Sequence, residues 1–180
     1  MKRIWIGCIA ALLVVILGGG YYLYQNSSPI KAYEPSRDRA FIINLFKKDW
    51  YWLISDYSPN YDVGFMLDKK SPTTTSMVDV GKLILKTYVE NGFPMGFVAY
   101  YTKELKIGQL LFLAVDERYR GKGIARKLMM YALNELKKLG MLAVRMNTRT
   151  DNTRARKLYD SIGFKLIWTD GAYIIYEIIL

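Results

Sequence analysis

The chain has 180 residues, 52% of them apolar, which suits one ordinary globular domain and is too short for two of typical size. It contains no histidine, which excludes histidine-dependent triads, a histidine general base and histidine-ligated metal sites, and its single cysteine excludes an internal disulfide or a thiolate zinc cluster. The formal net charge of +10 indicates an anionic partner: a nucleotide-like cofactor, nucleic acid or a membrane surface.

The amino-terminal region contains an uncharged apolar run from Ile4 to Tyr24. As a helix this run would be about 31 Å long, close to the thickness of a bilayer's hydrocarbon core. We therefore predict a transmembrane anchor with a short linker over residues 1–29 and a folded domain over residues 30–180. A secretory signal peptide is the alternative, because Lys2 and Arg3 precede the run and three glycines at 18–20 could form a cleavage zone.

The first half of the domain is predicted to be helical. Apolar residues recur at helical spacing after Ser36 and Asp38, which predicts one helix there, and Trp50 to Ile54 is predicted as a second short helix. The stretches SPNYDVG and KKSPTTTS, rich in turn-forming residues, are predicted as loops.

From Gly81 onward the pattern changes to strands. Three runs, KLILKTYVE, FPMGFVAYYT and GQLLFLAV, predict an antiparallel meander. An amphipathic helix of about five turns then ends at Gly140, and it is followed by the strand MLAVRMNT, a short helix ending at Gly163 and a hairpin that turns at Asp170 and Gly171. The predicted order is ααβββαβαββ, an α/β (α+β) fold with a mixed sheet and helices on its faces.

The junction between the third strand and the long helix has the chemistry of an anion site. There the chain passes through Arg120-Gly121-Lys122-Gly123 directly into the helix. Glycine allows the backbone to approach an oxyanion closely, and the unpaired amides of a first helical turn donate hydrogen bonds to it. The alternative is that both glycines serve only a tight connection, with the cations on a solvated helix face.

Two motifs in this region resemble those of the GNAT superfamily, the acyl-CoA-dependent N-acyltransferases. The first, Arg/Gln-x-x-Gly-x-Gly/Ala at the start of the central helix, is matched by Arg120, Gly123 and Ala125. The second follows a strand and reads Asn152-x-x-Ala-x-x-Leu-Tyr159-x-x-x-Gly-Phe. The resemblance extends over roughly residues 30–180 and implies a mostly antiparallel sheet flanked by helices.

The resemblance also implies a set of residues that contact acetyl-CoA as acyl donor. The strand before the turn is implied to separate from its neighbour, which places Leu113 and Val115 beside the pantetheine arm, although both could equally be core residues. Asn152 is implied to contact the same arm, and it could also cap a helix. Backbone amides of the turn are implied to bind the pyrophosphate: Arg120, Gly121, Lys122, Gly123, Ile124 and Ala125.

Tyr159 is implied to be the catalytic acid that protonates the departing CoA thiolate, and its alternative is a tyrosine packed beneath the sheet. The strand GQLLFLAV has no carboxylate before Asp116, so the general base common in the family is absent from its usual place. Glu90, Glu104 and Tyr100 lie on neighbouring segments, and none of them is assigned that role. The acceptor is expected to be a small-molecule or peptide amine, and no metal is expected.

Besides a membrane-tethered acetyltransferase, two other functions are compatible with parts of the sequence. A degenerate domain that binds acyl-CoA or another anion without catalysis is favoured by the absent carboxylate. A nucleic-acid-binding module is disfavoured, because no recognised motif for it is present. Positive charges flank the apolar run almost equally on both sides, so the rule that cytoplasmic flanks carry more Lys and Arg does not fix the orientation of a single span. A single-pass protein whose domain faces the cytoplasm, where acetyl-CoA is found, is therefore allowed and is the expected arrangement.

Overall fold

The computed structural model describes residues 28–54, 60–71 and 81–180. The described part of the chain forms seven strands, four α-helices and a 3-10 turn at Glu117–Tyr119. The helices are α1 (Pro35–Leu53), α2 (Val63–Lys69), α3 (Ile124–Lys138) and α4 (Thr153–Ile162). The strands are β1 (Ile30–Ala32), β2 (Ile84–Glu90), β3 (Phe93–Lys103), β4 (Ile107–Val115), β5 (Ala143–Arg149), β6 (Lys165–Asp170) and β7 (Tyr173–Ile179).

The strands form one sheet in the order β1-β2-β3-β4-β5-β7-β6. Every neighbouring pair is antiparallel except β4 and β5, which are parallel. Each face of the sheet carries its own apolar cluster, one packed against α3 and α4 and the other against α1 and α2. The predicted mixed, mostly antiparallel sheet flanked by helices is confirmed.

The predicted element order is wrong at two places. Strand β1 precedes the first helix and was not predicted, because three residues on a sheet edge are too few to show an alternating pattern. Helix α2 takes in the end of one stretch predicted as loop, SPNYDVG, the start of the other, KKSPTTTS, and residues 65–68 between them, for which no element was predicted. Its N-cap is Asp62, whose carboxylate accepts a hydrogen bond from the Phe65 amide at 2.8 Å, a capping signal that the turn-rich composition obscured.

Two predicted helices have different bounds in the structure. Helix α1 continues through the segment predicted as a second helix, with a kink at Asp49, whose φ of −108° and ψ of 24° are non-helical. Helix α3 begins at Ile124, directly after the glycine turn as predicted, but its 15 residues form about four turns rather than five. The glycine turn therefore lies wholly before the helix.

A buried carboxylate fixes α1 to the sheet. Asp38 has no exposed surface, and it accepts hydrogen bonds from the Glu34 amide at 2.9 Å and from the hydroxyl of Thr87 on β2 at 3.0 Å. Arg37 donates to the same carboxylate and balances its charge. The helix that follows β1 is therefore held against the sheet from its first turn.

The predicted transmembrane anchor, Ile4 to Tyr24, lies outside the described residues. Among residues 28–54, 60–71 and 81–180, no helix is long and apolar enough to span a bilayer.

Candidate functional site

The site is a wedge between the two parallel strands. β4 and β5 pair only from Ile107↔Ala143 to Leu110↔Met146, and beyond that register the two strands are no longer hydrogen-bonded. The separation coincides with a bulge on β4, because Leu110 and Phe112 pair with consecutive residues of β3 and leave Leu111 as the extra residue. A bulge bends and twists its strand, which moves the end of β4 away from β5.

A cavity of about 560 Å³ occupies this wedge, a size typical of small-molecule and cofactor sites. Its walls come from the kinked end of α1, the separated strands, the glycine turn and the start of α4. Residues that line it include Asp49, Trp52, Leu113, Val115, Gly121, Gly123, Asn147, Thr148, Asp151, Asn152 and Tyr159. Residues of both sequence-predicted motifs therefore meet around one cavity, although Lys122 is not among the residues that line it.

The glycine turn presents a row of free backbone donors. Gly121 and Gly123 have φ values of +78° and +76°, in the left-handed region that favours glycine. The first helical bond at this end runs from the Lys127 amide to the Gly123 carbonyl at 3.1 Å. Within the described part of the chain, none of the six amides from Gly121 to Arg126 donates to an acceptor.

These six amides, together with the positive end of the α3 dipole, form a backbone site suited to an oxyanion. A Cβ atom added at Gly121 or Gly123 would meet nothing within 4 Å, so space for a ligand adjoins the turn. The Arg120 amide is the exception among the predicted donors, because it already bonds the Glu117 carbonyl at 3.3 Å. It is less available to a ligand than the other five predicted amides.

The side chain of Arg120 braces the turn. Its Nε donates to the Val115 carbonyl at 2.9 Å, and its terminal nitrogen forms an ion pair with Asp49 at the kink of α1. One guanidinium thus connects the end of β4, the glycine turn and the helix that forms the opposite wall. Arg126 is anchored similarly on α4 through Ser161, whereas the exposed ammonium of Lys122 lies 5.5 Å from the Tyr119 ring centre.

The predicted pantetheine contacts lie in the wedge. Leu113 and Val115 both line the cavity and both also pack in the α3 side of the core, so the two roles proposed for them are compatible. Asn152 caps α4, since its side chain accepts a hydrogen bond from the Ala155 amide at 3.2 Å. Its cap role uses the side-chain oxygen and leaves the amide nitrogen of this cavity-lining residue for another partner.

Tyr159 is buried at the floor of the cavity and is 6% exposed. Its ring packs edge-on against Tyr176, with the ring centres 5.6 Å apart, and tilted against Phe164, with the ring centres 6.1 Å apart. Burial raises the pKa of this hydroxyl above its ordinary value, and the neighbouring side chain of Thr148 opposes that rise. The group is therefore a proton donor throughout the physiological pH range.

The carboxylates near the site already have partners. Asp49 pairs with Arg120, and Asp151 accepts a hydrogen bond from the Tyr51 hydroxyl at 2.8 Å. Asp116 does not line the cavity, and hydrogen bonds from Arg118 hold its pKa below the usual range. Of the three residues left unassigned, Tyr100 is buried on the α3 side, while Glu90 and Glu104 are exposed near strand ends.

Sequence patterns missed the wall formed by α1. Asp49 and Trp52 are more than 60 residues from the glycine turn in the sequence, and no local motif marks them. Thr148 was likewise missed, because on β5 it looks like an ordinary β-branched strand residue. Their roles depend on the packing of α1 across the wedge and on the neighbouring Tyr159.

Comparison with known proteins gives a family match that spans most of the domain. The model of the Acetyltransferase (GNAT) family matches residues 39–164. A solved structure of PaiA N-acetyltransferase from Thermoplasma acidophilum, in complex with coenzyme A, superposes with a TM-score of 0.63. It is 21% identical, and the match covers 84% of this chain and 98% of that one, which shows a shared fold.

Curated relatives match over shorter segments. The [ribosomal protein bS18]-alanine N-acetyltransferase of Haemophilus ducreyi is 41% identical over 58 residues, 32% of this chain and 40% of the relative. N-acetylaspartate synthetase of Rattus norvegicus is 31% identical over 109 residues, 56% of this chain and 36% of the relative. The matched segments therefore span less than half of either relative.

Proposed function

Since the chain belongs to the acetyltransferase (GNAT) family, we propose that it transfers an acetyl group from acetyl-CoA to an amine acceptor. The observation that carries this proposal is the row of free amides from Gly121 to Arg126, which ends at the cavity between β4 and β5. Their number and the empty space at both glycines fit a pyrophosphate. The unpaired edges of the two strands fit a flexible arm with its own amide groups.

The reaction assigned to this site is a direct transfer. The acceptor amine attacks the thioester carbonyl carbon, a C–N bond forms and the C–S bond breaks. Tyr159 donates its hydroxyl proton to the departing thiolate sulfur, a role for which a buried, protonated phenol is suited. Water takes the proton that the amine loses, because Asp49 and Asp151 are both engaged by other side chains.

The acceptor class is a primary amine on a small molecule or at a peptide amino terminus. The Haemophilus relative is named for an alanine of a ribosomal protein, and the rat relative for the synthesis of N-acetylaspartate. Both products carry an acetylated amine, and both kinds of acceptor are included in the test.

The test is a transfer assay with the full chain in detergent. We expect acetyl-CoA to bind in isothermal titration and free CoA to appear when an amine is added, detected with a thiol reagent. The acceptor panel contains an alanine-initiated peptide, aspartate, a lysine peptide with a blocked amino terminus and a small primary amine. The same alanine peptide, already acetylated, is the matched control and should release no CoA above background.

A domain that binds acyl-CoA without catalysis is the second candidate, favoured by the absence of a free carboxylate among the described cavity-lining residues. The assay separates the two candidates. Acetyl-CoA binding without transfer to any amine would support the second, and absence of binding would contradict both.

We further propose that Ile4 to Tyr24 anchors the protein in a membrane as a single span, with the domain in the cytoplasm. Support comes from the length and lack of charge of this run and from the location of acetyl-CoA in the cytosol. We expect protease added to spheroplasts to leave the domain intact and to digest it after lysis. Digestion before lysis would contradict the orientation, and recovery of a chain that lacks the run would indicate a cleaved signal peptide.

A further inference from the structure

The start of β1, the glycine turn and the end of α1 all lie at one end of the sheet. The Pro29 carbonyl accepts a hydrogen bond from the Val89 amide at 2.7 Å, and Ile30 pairs with Tyr88 at the end of β2. Lys127, in the first turn of α3, places its ammonium 5.6 Å from the centre of the Tyr88 ring. We call this end of the molecule the amino-terminal end.

The kinked end of α1 and the β2–β3 turn belong to the same end. Asp49 of α1 pairs with Arg120 of the glycine turn, so the residues that follow the kink lie beside that turn. At the other side, Phe93 begins β3, whose first residues pair with the last residues of β4. The Met95 carbonyl accepts a hydrogen bond from the Asp116 amide at 2.9 Å, which fixes this arrangement.

Exposed aromatic side chains are concentrated at the amino-terminal end. Phe93 is 70% exposed, and Trp50, Tyr51 and Trp52 are also exposed. Among the described residues, Trp168 on β6 is the one other exposed aromatic residue. Tryptophan and tyrosine favour the interface between a bilayer and water, because one part of the ring is apolar and the other is polar.

Cations lie at the same end of the sheet as these aromatic residues, with Lys122 against the Tyr119 ring and Lys127 against the Tyr88 ring. Lys122 and Lys127 are exposed and, within the described part of the chain, pair with no carboxylate. Arg118 is also exposed, although it is paired with Asp116. Exposed cations beside aromatic rings are the combination that binds a bilayer surface with anionic headgroups.

The short chain between the apolar run and Ser28 limits how far this end can lie from the proposed anchor. Only Gln25, Asn26 and Ser27 separate the apolar run from Ser28, and four extended residue steps span at most about 14 Å. With Ile4 to Tyr24 across the bilayer, Ser28 and the strand that follows cannot lie far from the headgroup layer.

We propose that the amino-terminal end of the domain rests on an anionic lipid bilayer, with Phe93 in contact with the lipid and Lys122 and Lys127 facing the headgroups. This inference rests on the proposed membrane anchor and adds a fixed orientation to it. The opposite end of the sheet, which contains the exposed Leu105 in the β3–β4 turn, then points into water. The two ends of β3 are separated by about 34 Å, so the two positions are readily distinguished.

The test places one environment-sensitive label at either end of β3. The full chain with Cys8→Ser receives Phe93→Cys or Leu105→Cys, each is labelled with nitrobenzoxadiazole, and each is reconstituted into phosphatidylcholine–phosphatidylglycerol vesicles. We expect the label at position 93 to be quenched by doxyl-labelled lipid and shielded from iodide. Leu105 is 87% exposed, and we expect a label at this position to be accessible to iodide and not to be quenched by doxyl-labelled lipid.

A charge variant tests the headgroup contact in the same vesicles. Lys127→Gln should reduce lipid quenching of the label at position 93, whereas Lys137→Gln, an exposed lysine in the last turn of the same helix, should leave it unchanged. Equal lipid quenching at positions 93 and 105, or greater quenching at 105, would overturn the proposal, as would equal effects of the two lysine variants.

Two further measurements on these vesicles distinguish failure of the proposed orientation from failure of the proposed membrane anchor or of acetyl-CoA binding. Carbonate extraction that removes the chain from the vesicles would overturn the anchor and this inference with it. Vesicles that retain the chain and bind acetyl-CoA, while both labels remain in water, would overturn the orientation alone.

Discussion

Replacing Gly123 by glutamate should weaken acetyl-CoA binding by at least about 100-fold, equivalent to about 2.8 kcal/mol. Gly123 lies in the middle of the six free amides, and a side chain there would extend into space that the turn leaves open. The glutamate would place a negative charge where the site is arranged to accept one. Isothermal titration of acetyl-CoA into both proteins measures the change.

Gly140 provides the matched control for backbone strain. Its φ of +80° is close to the +76° of Gly123, and an added Cβ would also meet nothing within 4 Å. A non-glycine residue at either position costs about 1–2 kcal/mol of stability for the same reason. Gly140→Glu lies beyond the other end of α3 and should bind acetyl-CoA like the wild type. Equal binding by the two variants would show that the glycine turn is not the phosphate site.

Replacing Tyr159 by phenylalanine should lower kcat by about 100-fold or more, the range typical of losing a general acid. The change removes only the hydroxyl, so the ring should keep its packing against Phe164 and Tyr176. Acetyl-CoA affinity should change little, because the amides of the turn are untouched. Steady-state kinetics and titration on the same preparation separate the two effects.

Tyr176→Phe is the matched control, since Tyr176 is a buried tyrosine in ring contact with Tyr159. It should retain a kcat close to that of the wild type. The pH profile gives a second readout. Because burial raises the pKa of Tyr159, the hydroxyl stays protonated to higher pH than an ordinary phenol. At every pH below about 10, we therefore expect no decrease in activity from deprotonation of this acid. A kcat for Tyr159→Phe that equals the control would remove Tyr159 from the reaction.

The elements from Gly81 onward were largely predictable because their patterns are local. Apolar runs separated by turn residues define the meander of β2, β3 and β4, and the helical spacing from Ile124 to Leu136 defines α3. The position of the glycine turn was also predictable, since a strand, a glycine turn and a helix start occur consecutively in the chain.

The first half of the domain was less predictable for the opposite reason. Three residues of β1 form a strand only because β2 offers them an edge, and α2 is seven residues long with a polar cap. A short segment has too few residues for its own pattern to specify its conformation, so its contacts with the rest of the fold decide it.

The sequence by itself determined the two motifs, the family resemblance, the position of the glycine turn and the absence of histidine chemistry. Only the tertiary structure decided where β4 and β5 separate to form the wedge and that α1 forms its opposite wall. The bulge at Leu111 separates β4 from β5, and the ion pair between Asp49 and Arg120 brings α1 across the gap. These features depend on residues that are distant in the chain and meet through packing, and a local pattern cannot encode which distant residues will meet.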